Sequence, residues 1–158
     1  MNALSHQTHA LSINPTNGET VGSYPYESAA QLDAALTRAS TAFRHGRDTP
    51  VAQRAELLLA LACALREQAE EMAQMITLEM GKPIAQARGE IEKCALLAEW
   101  YAAHGPAMLA PEPTQVDNGS AQIEYRPLGP ILAVMPWNFP VWQVLRGAVP
   151  TMLSGNTY

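Results

Sequence analysis

The chain has 158 residues and a mass of 17.1 kDa, a length typical of one domain. Its 47% hydrophobic content excludes a wholly disordered chain, and its net charge of −5 argues against a nucleic-acid partner. No apolar run approaches the roughly 20 residues that span a bilayer, so no membrane partner is expected. Residues 1–13 lack the pattern of a secretory signal, and the first arginine is Arg38, so we expect a cytoplasmic protein.

The charged residues are unevenly distributed along the chain. They make up 16% of the sequence, yet residues 127–158 contain a single charged side chain, Arg146. A segment with so few charges is typical of the interior of a larger fold rather than of a surface layer.

The first half of the chain is predicted to be an arm followed by helices. Residues 1–27 form the arm, with a turn at residues 14–19, where Asn, Pro and Gly are concentrated. Residues 28–110 form the helical part. Its first helix begins after Ser28, which has capping-box spacing with Gln31, and carries an apolar stripe of Leu32, Ala35, Leu36, Ala39 and Phe43.

Proline and cap residues predict the next helix boundaries. Thr49 is expected to be the N-cap of the second helix, with Pro50 as its first residue, and a break is expected near residues 67–69. The last helix of this part should begin at Pro83 and end at residues 105–106, where Gly and Pro follow each other.

The second half changes from helix to strand. Residues 111–126 are predicted to be a proline-rich connector, residues 111–119, followed by a half-exposed strand at residues 122–126. Residues 131–135 are continuously apolar, which predicts a strand buried on both faces of a parallel sheet. A turn then leads to a helix that starts at Pro140.

This order of elements predicts an α/β fold, in which residues 127–158 contain the first strand–turn–helix of a parallel sheet. One parallel strand has no partner within the chain, and an isolated pair of strands does not form a stable sheet. We therefore interpret the sequence as a single incomplete domain.

Asn138 is the first candidate site residue, because ligands of open α/β sheets bind beyond the carboxyl ends of the strands. Its side-chain amide can donate a hydrogen bond to a developing oxyanion. It can equally cap the following helix, and spacing alone favours the cap. The chain has no glycine-rich phosphate loop, so a self-contained nucleotide site is not indicated.

Arg146 is the second candidate. It follows Pro140 by six residues, a rise of about 9 Å along a helix, and helical side chains lean towards the N-terminus, so its side chain can approach the turn at Asn138. A charge in so apolar a stretch requires either a carboxylate elsewhere in the fold or an anionic ligand, and the sequence alone slightly favours the carboxylate.

The sulfur-containing side chains are predicted to be structural. Cys63 and Cys94 lie within helices, without the neighbours that activate a thiol and without the spacing of a metal site. Met72, Met75 and Met80 follow a helical apolar face, which indicates a core rather than a binding groove.

Three segments together resemble the aldehyde dehydrogenase superfamily. The block GPILAVMPWNFP at residues 129–140 is specific, and NPTNGE at residues 14–19 and EMGKP at residues 79–83 resemble the family's opening arm and a helix junction in the same order. The resemblance covers residues 11–158. Residues 100–104 and the position of Arg146 most resemble bacterial succinate-semialdehyde dehydrogenases.

The resemblance implies an NAD- or NADP-dependent oxidation of a small aldehyde, most specifically succinate semialdehyde, to a carboxylic acid. In that family a cysteine thiolate attacks the aldehyde, and the residue matching Asn138 holds the oxyanion. Met135, Pro136, Trp137 and Asn138 would line the nicotinamide side of a Rossmann-like cofactor domain, and Arg146 would contact the distal carboxylate of the substrate.

The resemblance also implies that this chain is only the N-terminal part of a homo-oligomeric enzyme. The family's catalytic cysteine and general-base glutamate match positions beyond Tyr158, so the chain alone is expected to be inactive. The alternative is a short, non-enzymatic interaction module derived from such an enzyme.

Overall fold

A computed structural model describes residues 8–158, so residues 1–7 of the predicted arm, which belong to the segment predicted to carry no secretory signal, lie outside the described residues. The described part is a mixed α/β structure, which confirms the predicted fold class. Its elements are β1 (His9–Ile13), β2 (Thr20–Pro25), α1 (Ala29–Gly46), α2 (Val51–Glu67), α3 (Ala69–Met80), α4 (Ile84–Met108), β3 (Glu112–Thr114), β4 (Ala121–Ile123) and α5 (Pro140–Leu153).

The core lies where α2, α4 and α5 pack together. The buried face of α4 is built mainly from small side chains, which lets the neighbouring helices approach closely. Leu153 of α5 packs so tightly on Gly105 that a Cβ at Gly105 would overlap its Cδ2 atom. The buried core residues are Ala55, Leu58, Ala62 and Leu65 of α2, Ala73 and Ile76 of α3, Ala87, Ile91, Cys94, Ala95 and Ala98 of α4, and Val149 and Leu153 of α5.

The helix starts confirm the local signals in the sequence, with shifts of one residue. Ser28 and Gln31 form the expected capping box at α1. The N-cap of α2 is Pro50 rather than the predicted Thr49, and α4 begins at Ile84, one residue after the predicted Pro83, which is its N-cap. Both prolines have extended ψ angles, 140° and 131°, so each lies just outside the helix that follows it.

Two other helix predictions need correction. Helix α4 does not end at residues 105–106 but continues through Pro106 to Met108, and the amide of Leu109 still donates to the carbonyl of Gly105. The apolar stripe of α1 is only partly covered: Leu32 and Leu36 are exposed, Ala35, Ala39 and Phe43 are half-buried, and no residue of α1 is fully buried.

The small sheets differ partly from expectation. Strands β1 and β2 form an antiparallel hairpin around the turn at residues 14–19, where Gly18 has a φ of +76°. The predicted connector contains β3, which pairs with β4, so the predicted strand at residues 122–126 is shorter and shifted. Pro113 is tolerated in β3 because every strand of a two-stranded sheet is an edge strand.

The prediction of a buried strand at residues 131–135 was wrong, because these residues form no strand and are not buried. Leu132 is 88% exposed and Val134 90% exposed, whereas Ile131, Ala133 and Met135 are half-buried. The amide of Ile131 donates to the carbonyl of Thr157 at 2.8 Å, within a parallel bridge between Pro130 and Thr157. Parallel pairing thus begins after α5, but burial of a strand on both faces requires neighbours that the described residues do not contain.

Candidate active site

The candidate site is the turn between residues 131–135 and α5. The turn falls at Trp137 and Asn138, and α5 begins at Pro140, as predicted. Proline suits this position because its fixed φ matches a helix and the first helical residue has no intrahelical use for an N–H group. The amide of Gln143 makes the first intrahelical hydrogen bond, to the carbonyl of Phe139 at 2.8 Å.

Glu90 of α4 caps the N-terminus of α5. Its Oε1 atom accepts hydrogen bonds from the amides of Val141 and Trp142, both at 3.0 Å. The residue is 4% exposed, and its Oε2 atom forms an ion pair with the ammonium group of Lys82. A carboxylate at this place satisfies two otherwise unpaired amides and interacts favourably with the helix dipole.

Asn138 therefore does not cap α5. The N-cap residue is Phe139, and no side chain of the cap makes a hydrogen bond there. Asn138 is exposed, and within residues 8–158 its side-chain amide has no hydrogen-bond partner. The alternative that spacing alone favoured does not hold, and the amide is free to donate to a ligand; its function as an oxyanion donor stays a prediction.

Lys82 contacts the residue that follows Asn138. Its Nζ atom lies 3.8 Å from the centroid of the Phe139 ring, and its side chain is 9% exposed. Sequence reasoning missed both Lys82 and Glu90. The available signal was that Glu90 lies three residues after Ala87 and four before Cys94, on the apolar face of α4, where an acid requires a partner.

The residues predicted to line the cofactor lie along one exposed edge. Trp137 is 77% exposed, and Met135 packs on α5 at Gly147, where a Cβ would lie 3.0 Å from the methionine Cε atom. Residues 132–138 lie outside the helices and strands. Their backbone groups make no backbone hydrogen bond within residues 8–158. This edge therefore presents free amide and carbonyl groups beside apolar side chains.

The C-terminal end of α5 is held by Arg54 of α2. Its Nε atom donates to the carbonyl of Leu153 at 2.7 Å, and its Nη1 atom donates to the carbonyl of Thr49. Burial lowers the pKa of Arg54. The cation at this end and the carboxylate of Glu90 at the other both match the helix dipole, so α5 is fixed at its two ends.

Arg146 projects from the exposed side of α5. The residue is exposed, and no carboxylate of the described residues forms a salt bridge with it. The carboxylate partner that the sequence alone slightly favoured is thus not found in this part of the chain. Contact of Arg146 with an anionic substrate stays a prediction.

A groove of about 630 Å³ adjoins the turn and contains the three methionines that were predicted to lie in the core. Met72 and Met80 pack against the core and also line the groove, while Met75 is 47% exposed. The prediction of a core position was wrong for Met75. Helix α3 packs on α4 with one face, and Met75 lies on the part of α3 that faces the groove. Trp137 and Ile13 are among the other residues that line it.

The two cysteines have different environments. Cys94 is fully buried, and burial raises the pKa of its thiol to about 12, whereas Cys63 is exposed on α2. No group of three potential metal ligands occurs among residues 8–158, and no helix described there is long and apolar enough to cross a membrane.

Alkylation should separate the two thiols. In the folded protein at pH 8, iodoacetamide should modify Cys63 and leave Cys94 intact, because the thiolate is the reactive form and Cys94 is neutral and inaccessible. Peptide mass spectrometry gives the extent of each modification, with denatured protein as the control in which both react. Equal rates for the two cysteines in the folded protein would contradict this assignment.

Comparisons with known proteins agree on one family. A protein-family model described as the aldehyde dehydrogenase family matches residues 3–158. The chain is 59% identical over 155 residues to the succinate semialdehyde dehydrogenase (NAD(P)+) Sad of Escherichia coli K12, and the match covers 98% of this chain and 34% of that protein. It is 44% identical over 144 residues to a probable succinate-semialdehyde dehydrogenase (NADP+) of Synechocystis, covering 91% and 32%.

A solved structure gives the same result for the backbone. The succinic semialdehyde dehydrogenase of Streptococcus pyogenes, in complex with NADP+ as the cofactor, superposes with a TM-score of 0.88 at 31% identity. The match covers 92% of this chain and 32% of that one. The chain thus spans about a third of the length of the proteins that it matches.

Proposed function

This chain belongs to the aldehyde dehydrogenase family, and we propose that it contributes the Asn138 turn and Arg146 to an NAD- or NADP-dependent enzyme. That enzyme oxidises succinate semialdehyde to succinate. The observation that carries the proposal is the 59% identity with the E. coli succinate semialdehyde dehydrogenase over 98% of this chain.

Asn138 is proposed to stabilise the oxygen of the reacting aldehyde. Attack of a nucleophile on the carbonyl carbon breaks the π bond and leaves a negative charge on the oxygen. A side-chain amide aimed at that oxygen favours the charged transition state over the neutral substrate. The exposed, unpaired amide of Asn138 supports this function. Neither cysteine of this chain is proposed as the nucleophile, because Cys94 is buried with a raised pKa and Cys63 lies within α2 rather than at a helix N-terminus, so we expect the nucleophile outside this chain.

Met135, Pro136, Trp137 and Asn138 are proposed to hold the nicotinamide end of NAD or NADP. The free backbone groups of residues 132–138 suit a carboxamide, and the apolar side chains suit a ring. The cofactor supplies a hydride acceptor when it is bound. The turn also follows a segment that starts at the parallel bridge between Pro130 and Thr157, and open α/β sheets bind nucleotides beyond the carboxyl ends of parallel strands.

Arg146 is proposed to bind the distal carboxylate of the substrate. It is the only charged residue of α5, it is exposed, and it has no carboxylate partner among the described residues. A guanidinium group can bind a carboxylate through two parallel hydrogen bonds, which fixes the orientation of a short aldehyde acid.

We further propose that the enzyme is cytoplasmic and homo-oligomeric. Cys63 and Cys94 are free thiols, which suits a reducing compartment. Large apolar side chains such as Leu57, Leu132 and Val134 are exposed, which supports contact with further protein surface.

The proposal is tested with a hybrid enzyme, in which this chain replaces the segment of the E. coli relative that it matches. We expect the hybrid to reduce NAD+ or NADP+ in the presence of succinate semialdehyde, at a rate measured by absorbance at 340 nm. The intact E. coli enzyme is the positive control, and the 158-residue chain alone should give no turnover.

A folded hybrid that oxidises no aldehyde would contradict the proposal and favour the interaction module. A hybrid that prefers an uncharged aldehyde of the same length, such as butanal, would retain the aldehyde dehydrogenase activity but contradict the choice of substrate.

A further inference from the structure

We infer that Lys82 and Glu90 are positioning residues that leave the amide of Asn138 free and hold it in place. The inference rests on the proposed function, because it concerns the same turn and the same reaction. Both residues lie outside the turn at residues 136–140: Lys82 precedes α4, and Glu90 lies within α4.

Glu90 accepts hydrogen bonds from the free amides at the start of α5, to which the Asn138 side chain would otherwise bind. Of the first residues of α5, Pro140 has no N–H group, and the amide of Gln143 bonds to the carbonyl of Phe139. The remaining two amides, of Val141 and Trp142, both donate to Glu90 Oε1. No amide in this first turn is left for a cap, so Asn138 has no partner within its own helix end.

Lys82 fixes the next residue in the chain. Its ammonium group pairs with Glu90 Oε2 and lies over the ring of Phe139 at 3.8 Å. Phe139 has φ −139° and ψ 77°, outside the helical region, so it sets the direction in which the chain leaves Asn138 for α5. Because Lys82 and Glu90 are both largely buried, the pair cannot rearrange without leaving a charge unpaired.

The precision of this arrangement matters for an oxyanion donor. Such a donor lowers the barrier only when it already points to the place where the negative charge develops, and misplacement by about 1 Å can lower the rate about 10²-fold. Asn138 itself is exposed, and its side chain makes no hydrogen bond within residues 8–158. Its position thus depends on the ion pair beneath Phe139 and α5.

The test is a double-mutant cycle in the hybrid enzyme. Glu90→Ala should lower kcat about 10- to 100-fold and leave KM for the cofactor within about 3-fold, because it frees two amides that recruit the Asn138 side chain. In an Asn138→Ala background the same change should lower kcat less than about 3-fold, since there is no amide left to misplace. A merely structural function would give the same factor in both backgrounds.

The control variants separate charge, hydrogen bonding and stability. Glu90→Gln keeps an oxygen that accepts from Val141 and Trp142 but removes the ion pair with Lys82, so it should lower kcat less than Glu90→Ala does. Glu92→Ala is the matched control, because Glu92 lies on the same helix and pairs with Arg66 at the surface, and it should leave kcat unchanged. If Glu90→Ala does not fold, Lys82→Met enters the same cycle and should likewise lower kcat less in the Asn138→Ala background than in the wild type.

Equal factors for Glu90→Ala with and without Asn138 would overturn the inference and leave the proposed function intact. If Asn138→Ala itself does not change kcat, the proposed function of Asn138 fails, and the inference fails with it. The variant Asn138→Ala alone distinguishes the two results. Its kcat is lowered when only the inference fails, and is unchanged when the proposed function of Asn138 fails.

Discussion

Replacement of Asn138 by alanine is expected to lower kcat of the hybrid enzyme about 10²- to 10³-fold, the usual effect of removing one oxyanion donor. The side chain is exposed and does not cap α5, so the melting temperature and the affinity for the cofactor should change little. Steady-state kinetics with succinate semialdehyde gives kcat, and cofactor binding is followed by fluorescence titration.

Asn118→Ala provides the matched control, because Asn118 is also exposed but lies in the loop between β3 and β4. It should leave kcat unchanged. A variant Asn138→Ala that loses thermal stability and keeps its kcat would contradict the assignment and return Asn138 to a structural function at the start of α5.

Replacement of Arg146 by alanine is expected to lower kcat/KM for succinate semialdehyde about 10- to 150-fold, mostly through KM. This range corresponds to about 1.5–3 kcal/mol, the usual contribution of a hydrogen bond to a charged group. Butanal has no distal carboxylate, so its kcat/KM should be unchanged. Arg146→Lys should recover only part of the loss, because an ammonium group does not bind a carboxylate through two parallel hydrogen bonds.

Arg44→Ala is the control for loss of a positive charge, since Arg44 lies on exposed α1 and donates only to the hydroxyl of Thr41. It should affect neither substrate. Equal losses for succinate semialdehyde and butanal in Arg146→Ala would show that Arg146 acts on the fold or on the cofactor, and would leave the carboxylate without its proposed partner.

The sequence predicted best the helix boundaries, because these depend on residues that are close together in the chain. The capping box of Ser28 and Gln31, the break between α2 and α3, and the start of α5 at Pro140 all depend on neighbouring residues, and the structure has them within one residue of the prediction.

Contacts between distant parts of the chain could not be predicted in this way. The bonds from Glu90 to Val141 and Trp142 join residues 51 and 52 positions apart, and no local pattern says which helix end an acid on an apolar face will meet. Spacing therefore favoured Asn138 as the cap. The four-part division of the chain and the functions of Asn138 and Arg146 stay predictions.

Burial was the other quantity that local patterns left undetermined. Residues 131–135 have the composition of a buried strand, but their exposure depends on which strands lie beside them, and only the bridge to Thr157 is present among residues 8–158. Met75 likewise follows the apolar period of α3, yet faces the groove, because one helix covers only one side of another.

The most direct measurement is a crystal structure of the hybrid enzyme with cofactor and the product succinate bound. We expect Asn138 Nδ2 within about 3.2 Å of an oxygen of the newly formed carboxylate, and the guanidinium group of Arg146 hydrogen-bonded to the distal carboxylate. Glu90 should still accept from the amides of Val141 and Trp142. Succinate bound elsewhere, or an Asn138 side chain turned onto the N-terminus of α5 in place of Glu90, would contradict the account.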